Sequence, residues 1–229
     1  MAQATDGAAS ASVRVPIAAG SLSGDLRIPT HAHGLVLFAH GSGSSRHSPR
    51  NQYVARALEQ RDLATLLIDL LTPEEEAVDD RSAQHRFDIA MLAGRLVTIV
   101  DWLRHQHETA ALPIGVFGAS TGGGAALVAA ATRPREIAAV VSRGGRPDLA
   151  GPSLTEVMAP TQLIVGGLDA AVIRMNRDAM HEMPGDVQLE IVPGATHLFE
   201  EPGTLERVAA LAGDWFARHL LPPHSTRRG

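Results

Sequence analysis

The stretch IGVFGASTGGGAALVAAA, residues 114–131, decides how the rest of the chain is read. Residues 114–117 are a short apolar run without alternation, the pattern of a strand buried on both faces. Residues 123–131 are small and apolar and predict a helix. Between them, Gly118-Ala119-Ser120-Thr121-Gly122 leaves room only for a tight turn. A serine flanked by glycines at a strand–turn–helix junction fits the pattern of an exposed nucleophile, and the pattern G-x-S-x-G occurs nowhere else in the chain. The helix N-terminus adds partial positive charge where an oxyanion would develop. The bland alternative is an ordinary βα turn, which the surrounding pattern disfavours.

Outward from this junction the same alternation recurs. Apolar runs at 35–39, 64–68, 138–141, 162–165 and 187–192 alternate with helical stretches at 53–60, 87–105, 171–181 and 205–219. In the second of these, Phe87, Met91, Leu92, Leu96, Ile99, Val100 and Leu103 step by three and four residues, which predicts an amphipathic helix. Non-alternating strands separated by helices predict an α/β fold, a doubly wound and mostly parallel sheet covered on both faces. Ahead of them, 13–17 and 22–28 alternate around Gly20 and Gly24 and predict an antiparallel hairpin at one sheet edge. We read 1–12 and 221–229 as flexible tails around a single domain, 13–220, with no large lid domain.

Composition narrows the chemistry. The chain has 229 residues, 45% hydrophobic and 20% charged, and contains no cysteine. Disulfides, thiolate metal sites and a cysteine nucleophile are thereby excluded. All 20 basic residues are arginine, which excludes a P-loop lysine and a lysine Schiff base. A net charge of -5 gives no basic footprint, so no nucleic-acid partner is expected. No apolar run approaches the ~20 residues that span a bilayer, and the N-terminus lacks the features of a secretory signal. The expectation is a cytoplasmic enzyme without a membrane partner, a monomer or homodimer acting on a small molecule.

In a doubly wound sheet, ligands bind beyond the carboxyl ends of the strands. The residues following each apolar run are therefore the candidates. Asp169 follows 162–165 and His197 follows 187–192, so a serine, an acid and a base all lie on loops at one edge. Among 11 histidines, His31 and His33 precede a strand and His105 and His107 end a helix, whereas His197 alone combines a last-strand loop with the chain order serine, acid, base. Asp148 also follows a strand and competes with Asp169 for the acid role. An oxyanion would be received by the N–H of Thr121 and by the loop His40-Gly41-Ser42-Gly43, where Ser42 N–H is the expected donor and Gly43 its substitute. Gly41-Ser42-Gly43-Ser44-Ser45-Arg46 lacks the third glycine of a dinucleotide fingerprint, so that reading fails.

With Ser120, the HGSG loop at 40–43, Asp169 and His197 in place, residues 13–220 resemble the α/β-hydrolases, specifically the dienelactone hydrolase-like branch. The resemblance implies nucleophile, acid and base roles at Ser120, Asp169 and His197. Dienelactone hydrolases proper carry cysteine at the nucleophile position. Serine here favours a serine esterase acting on carboxylic esters, with lactones or thioesters as close variants, and needing no metal or organic cofactor. A non-hydrolytic binding protein on the same scaffold and an acyltransferase or perhydrolase are the competing readings. Gly41 and Gly43 would border the substrate. Arg143 and Arg146 would hold a substrate carboxylate or simply pair with Asp148, and Arg46, His47 and Arg50 share that ambiguity. The acidic residues Glu74, Glu75, Glu76, Asp79 and Asp80 are expected in a solvated loop.

Overall fold

A computed structural model describes residues 9–220. Eight strands form one sheet: β1 (Ala9–Ile17), β2 (Gly20–Ile28), β3 (Gly34–Ala39), β4 (Leu63–Ile68), β5 (Ile114–Ala119), β6 (Ile137–Arg143), β7 (Thr161–Gly166) and β8 (Val187–Val192). Their spatial order is β1-β2-β4-β3-β5-β6-β7-β8. The pairs β1–β2 and β2–β4 are antiparallel, and every pair from β3 to β8 is parallel. Strands β3, β4, β5 and β7 are buried at every residue, which is why their sequences do not alternate. β2 alternates, because only one of its faces meets the core.

Helices α1 (Pro49–Glu59) and α6 (Thr204–His219) cover one face of the sheet, with Val54, Leu58, Val208, Trp215 and Phe216 packed on Phe38, Phe117 and Val141. The other face is covered by α3 (Ile89–Arg104), α4 (Thr121–Thr132) and α5 (Ala170–Glu182), whose Leu92, Leu96, Ala126, Leu127 and Ala179 pack against Leu37, Leu66 and Val140. α4 is almost wholly buried and built of alanine and glycine. A Cβ on Gly124 would stand 2.7 Å from the Arg146 carbonyl, so this helix lies too close to the β6–β7 connection for larger side chains. The connection itself is an irregular 3₁₀ segment, Pro147–Glu156.

Two expectations are corrected. The N-terminal tail read as 1–12 is strand from Ala9 onward, because Ala9 to Ser12 pair with Ile28 to Asp25 on β2; residues 1–8, like the tail 221–229, lie outside the described residues. The acidic run after Asp69 is not a loop but helix α2 (Pro73–Ser82). Thr72 and Glu75 form a reciprocal capping box with Pro73 in the first turn, and three glutamates sit at the positive end of the helix dipole.

Candidate active site

Ser120 sits between β5 and α4 with φ 51° and ψ −121°, a left-handed conformation that side chains rarely adopt. The surrounding backbone enforces it. Ser120 N–H donates to the Arg143 carbonyl at 3.2 Å, while its own carbonyl accepts from Gly123 N–H at 2.9 Å and Arg146 N–H at 3.1 Å. A Cβ on Gly118 would stand 2.5 Å from the Gly122 carbonyl oxygen, and one on Gly122 would stand 2.6 Å from that of His40. Both glycines that flank the serine are thus sterically required.

His197 and Asp169 meet. Nδ1 of His197 lies 2.7 Å from Asp169 Oδ2. A carboxylate accepts, so Nδ1 carries the proton and Nε2 is left with a lone pair for a serine hydroxyl. The other carboxylate oxygen, Oδ1, accepts the Val172 N–H as the N-cap of α5, which fixes the carboxylate plane. Gly144, at φ +52°, backs the imidazole: a Cβ there would stand 3.4 Å from His197 Cε1 and 3.5 Å from Nδ1. Asp148 is committed elsewhere, accepting two bonds from Arg146 at 2.8 and 2.7 Å. The Ser120 hydroxyl makes no hydrogen bond to His197 or to any other described residue. Nucleophile–base contacts are commonly loose until substrate tightens them.

The loop after β3 is held against the elbow by His40. Its buried ring accepts the Leu70 N–H at Nε2 (3.0 Å), so Nδ1 carries the proton and donates to the Gly41 carbonyl at 3.0 Å. Burial holds its pKa below the usual histidine value despite that bond. Gly41 then passes so close to Ser120 that a Cβ would stand 3.1 Å from the serine Cβ. Ser42 N–H, the expected oxyanion donor, donates to Thr121 Oγ1 at 2.9 Å. Thr121 N–H opens helix α4 and has no acceptor among the described residues. Ser42, Gly43 and Thr121 border a small open cleft that is also lined by Glu76, Asp79, Asp80 and Arg86 with Leu71 and Leu92. Among the described residues no group of three or more His, Asp or Glu side chains is placed to hold a metal ion.

Comparison with known proteins places this geometry. The model of the Dienelactone hydrolase family matches residues 51–220. A crystal structure of a dienelactone hydrolase from Anabaena variabilis superposes with TM-score 0.91 at 59% sequence identity, covering 93% of this chain and 99% of that one. The chain belongs to the dienelactone hydrolase family. A serine hydrolase without lid from Xanthomonas campestris shares the fold, with TM-score 0.73 and 20% identity over 93% of this chain and 96% of that one. A Mycobacterium tuberculosis protein named a phosphoribosyl transferase is 57% identical over 227 residues, 97% of this chain and 50% of that protein. The chain spans about half the length of the curated relatives it matches, and the transferase name describes those longer proteins.

Within this dienelactone hydrolase family member the arginines at the site divide by what they bind. Arg146 pairs with Asp148, and Arg46 ties Asp69 to the β3–α1 loop while its Nε lies 3.3 Å from Asp25. Arg86 is held by the buried Asp79 through Nε at 2.6 Å. Arg143 differs: it is only 7% exposed, no described residue accepts from its guanidinium, and the Phe199 ring lies 5.8 Å beneath it. Burial, with the like charge of Arg50, pushes its pKa down to about 10. Reading the sequence missed the positioning roles of His40, Gly144 and Asp79. A histidine before a glycine-rich loop and a glycine three residues past the apolar run 138–141 were the available signals.

Proposed function

We propose that the chain is a serine carboxylic-ester hydrolase working through Ser120, His197 and Asp169. The observation that carries this reading is the 2.7 Å contact between His197 Nδ1 and Asp169 Oδ2, beside a serine in an enforced left-handed turn. Ser120 Oγ attacks the ester carbonyl as its proton passes to His197 Nε2, and Asp169 supports the resulting imidazolium. The carbonyl oxygen, now negative, is received by the N–H groups of Thr121 and Ser42, with Gly43 N–H beside them; Thr121 Oγ1 occupies the Ser42 donor until substrate displaces it. Collapse breaks the bond to the alcohol, which leaves with the proton from Nε2. Water, deprotonated by His197, then cleaves the acyl-serine to the carboxylic acid. The cleft is bordered by α2, by Leu92 of α3 and by the start of α4, and it is open, so small or flexible esters fit best.

The decisive experiment is intact-mass analysis after treatment with a fluorophosphonate, wild type against Ser120→Ala, followed by an ester panel. One adduct on wild type, none on the variant, and a loss of at least about 10³-fold in kcat/KM support the reading. Labelling of both proteins, or of neither, counts against it. Asp169→Asn should cost a similar order, whereas Asp148→Asn should leave turnover within about threefold. The reverse pattern would reassign the acid.

A further inference from the structure

The peptide that joins Gly41 to Ser42 is held in one orientation. Its carbonyl accepts from His40 Nδ1 at 3.0 Å and from Ser44 N–H at 3.2 Å. The peptide is trans and planar, so holding its carbonyl also holds the direction of the Ser42 N–H. That N–H meets Thr121 Oγ1 at 2.9 Å. Thr121 is equally constrained: it is 3% exposed, opens α4 and is β-branched, which restricts its side-chain rotation. Its oxygen accepts, and its own O–H finds no acceptor among the described residues. A hydroxyl that accepts one bond and gives none, on the wall of a cleft shared with Ser42 and Gly43, has a proton to offer.

Arrival of a substrate carbonyl makes that proton necessary. A carbonyl oxygen drawn to the Ser42 N–H comes to rest beside Oγ1, which already occupies that donor. Two oxygens meeting through lone pairs alone would repel, most strongly as the carbonyl oxygen turns negative. The Thr121 proton, turned between them, converts the repulsion into a charge-assisted hydrogen bond. Building on the ester-hydrolase reading above, we propose that the Thr121 hydroxyl is a catalytic third donor to the oxyanion, joining the N–H groups of Thr121 and Ser42. The proton stays on Oγ1 throughout. Its bond tightens as Ser120 Oγ adds to the carbonyl and relaxes when the bond to the leaving alcohol breaks. The hydroxyl thus favours the tetrahedral state over the bound ester, an effect on kcat rather than on KM. A hydroxyl that merely covered the Ser42 N–H would act the opposite way, since its removal would free a donor.

The test compares wild type, Thr121→Val and Thr121→Ser on the best ester of the panel. Valine keeps the backbone N–H and the branched shape but has no proton to give, whereas serine keeps the hydroxyl. Thr121→Val should lower kcat at least about tenfold with KM within about threefold, and Thr121→Ser should recover most of the loss. The inhibition constant of trifluoroacetone, which adds to a serine as a hemiketal oxyanion, should rise in Thr121→Val by the factor that kcat/KM falls. Unchanged or faster turnover by Thr121→Val overturns the proposal and leaves the hydrolase reading intact. A slower variant with unaltered trifluoroacetone inhibition also overturns it, because the rate was then lost elsewhere than at the oxyanion. If wild type hydrolyses no ester, the hydrolase reading fails and the proposal falls with it. Should Thr121→Val fail to fold, Thr121→Ala against Thr121→Ser makes the same comparison, and equal kcat in the two overturns the proposal.

Discussion

Gly144 shows how much of the site depends on single positions that carry no chemistry. Its φ of +52° is one that a Cβ would strain by about 1–2 kcal/mol, and that Cβ would crowd the His197 carbonyl oxygen at 3.2 Å, so that His197 must shift to make room. Gly144→Ala should therefore fold with a small loss of stability yet lower kcat/KM at least about tenfold, because a displaced base no longer meets the nucleophile. Retention of full activity with an unchanged Tm would remove Gly144 from the positioning of His197. Ser120 and His197 were legible in the sequence because the turn that exposes a nucleophile constrains its neighbours to glycine, and because histidines at the wrong strand ends can be discarded. Arg143 was ambiguous for a physical reason: an arginine after a strand reads alike whether a carboxylate satisfies it or not. In the folded chain Arg146 pairs with Asp148, and no described residue accepts from the Arg143 guanidinium.

At the scale of elements, α2 was hidden because sequence periodicity reports buried apolar faces, and this helix buries only Asp79. It is held by its caps and by ions: Glu75 with Arg95, Asp79 with Arg86. Burial alone would push the Asp79 carboxyl up. The backbone N–H groups of Arg86 and His85 and the Arg86 side chain outweigh it, and its pKa is held below the ordinary value. The Glu75 carboxyl is likewise lowered, chiefly by its bonds from Arg95 against an opposing burial effect. Both folded-state values are depressed, so their contribution to stability is complete above the ordinary carboxylate range and lost as the pH falls through it. Asp79→Asn leaves Arg86 with only the exposed Asp80 carboxylate, 3.8 Å away, and should cost about 3 kcal/mol at pH 7 by urea unfolding. Between pH 5 and pH 3 the variant should lose less stability than wild type. Equal stability at pH 7 together with an identical acid response would show that the pair does not anchor this wall of the cleft. Helix α1, by contrast, began earlier than expected, since Ser48 accepts the Asn51 N–H and Pro49 stands in the first turn, signals that the apolar spacing from Tyr53 onward obscured.

For the whole molecule, one rule governs where function sits. From β3 to β8 all strands point the same way, so Ser120, Arg143, Asp169, His197 and the His40 loop are gathered at one rim although they are far apart in sequence. That gathering was predictable from strand and helix alternation alone, whereas the strand order and the pairing of individual charges were not, because many registers satisfy the same apolar pattern. The opposite rim carries none of these groups. Arg135, in the turn between α4 and β6, is exposed there, and the chain has no cysteine anywhere. Arg135→Cys would give the protein a unique thiol pointing away from the reacting groups. Protein tethered to a maleimide surface through that sulfur should keep most of its solution turnover, with the rim that holds Ser120 and His197 presented outward by attachment chemistry alone.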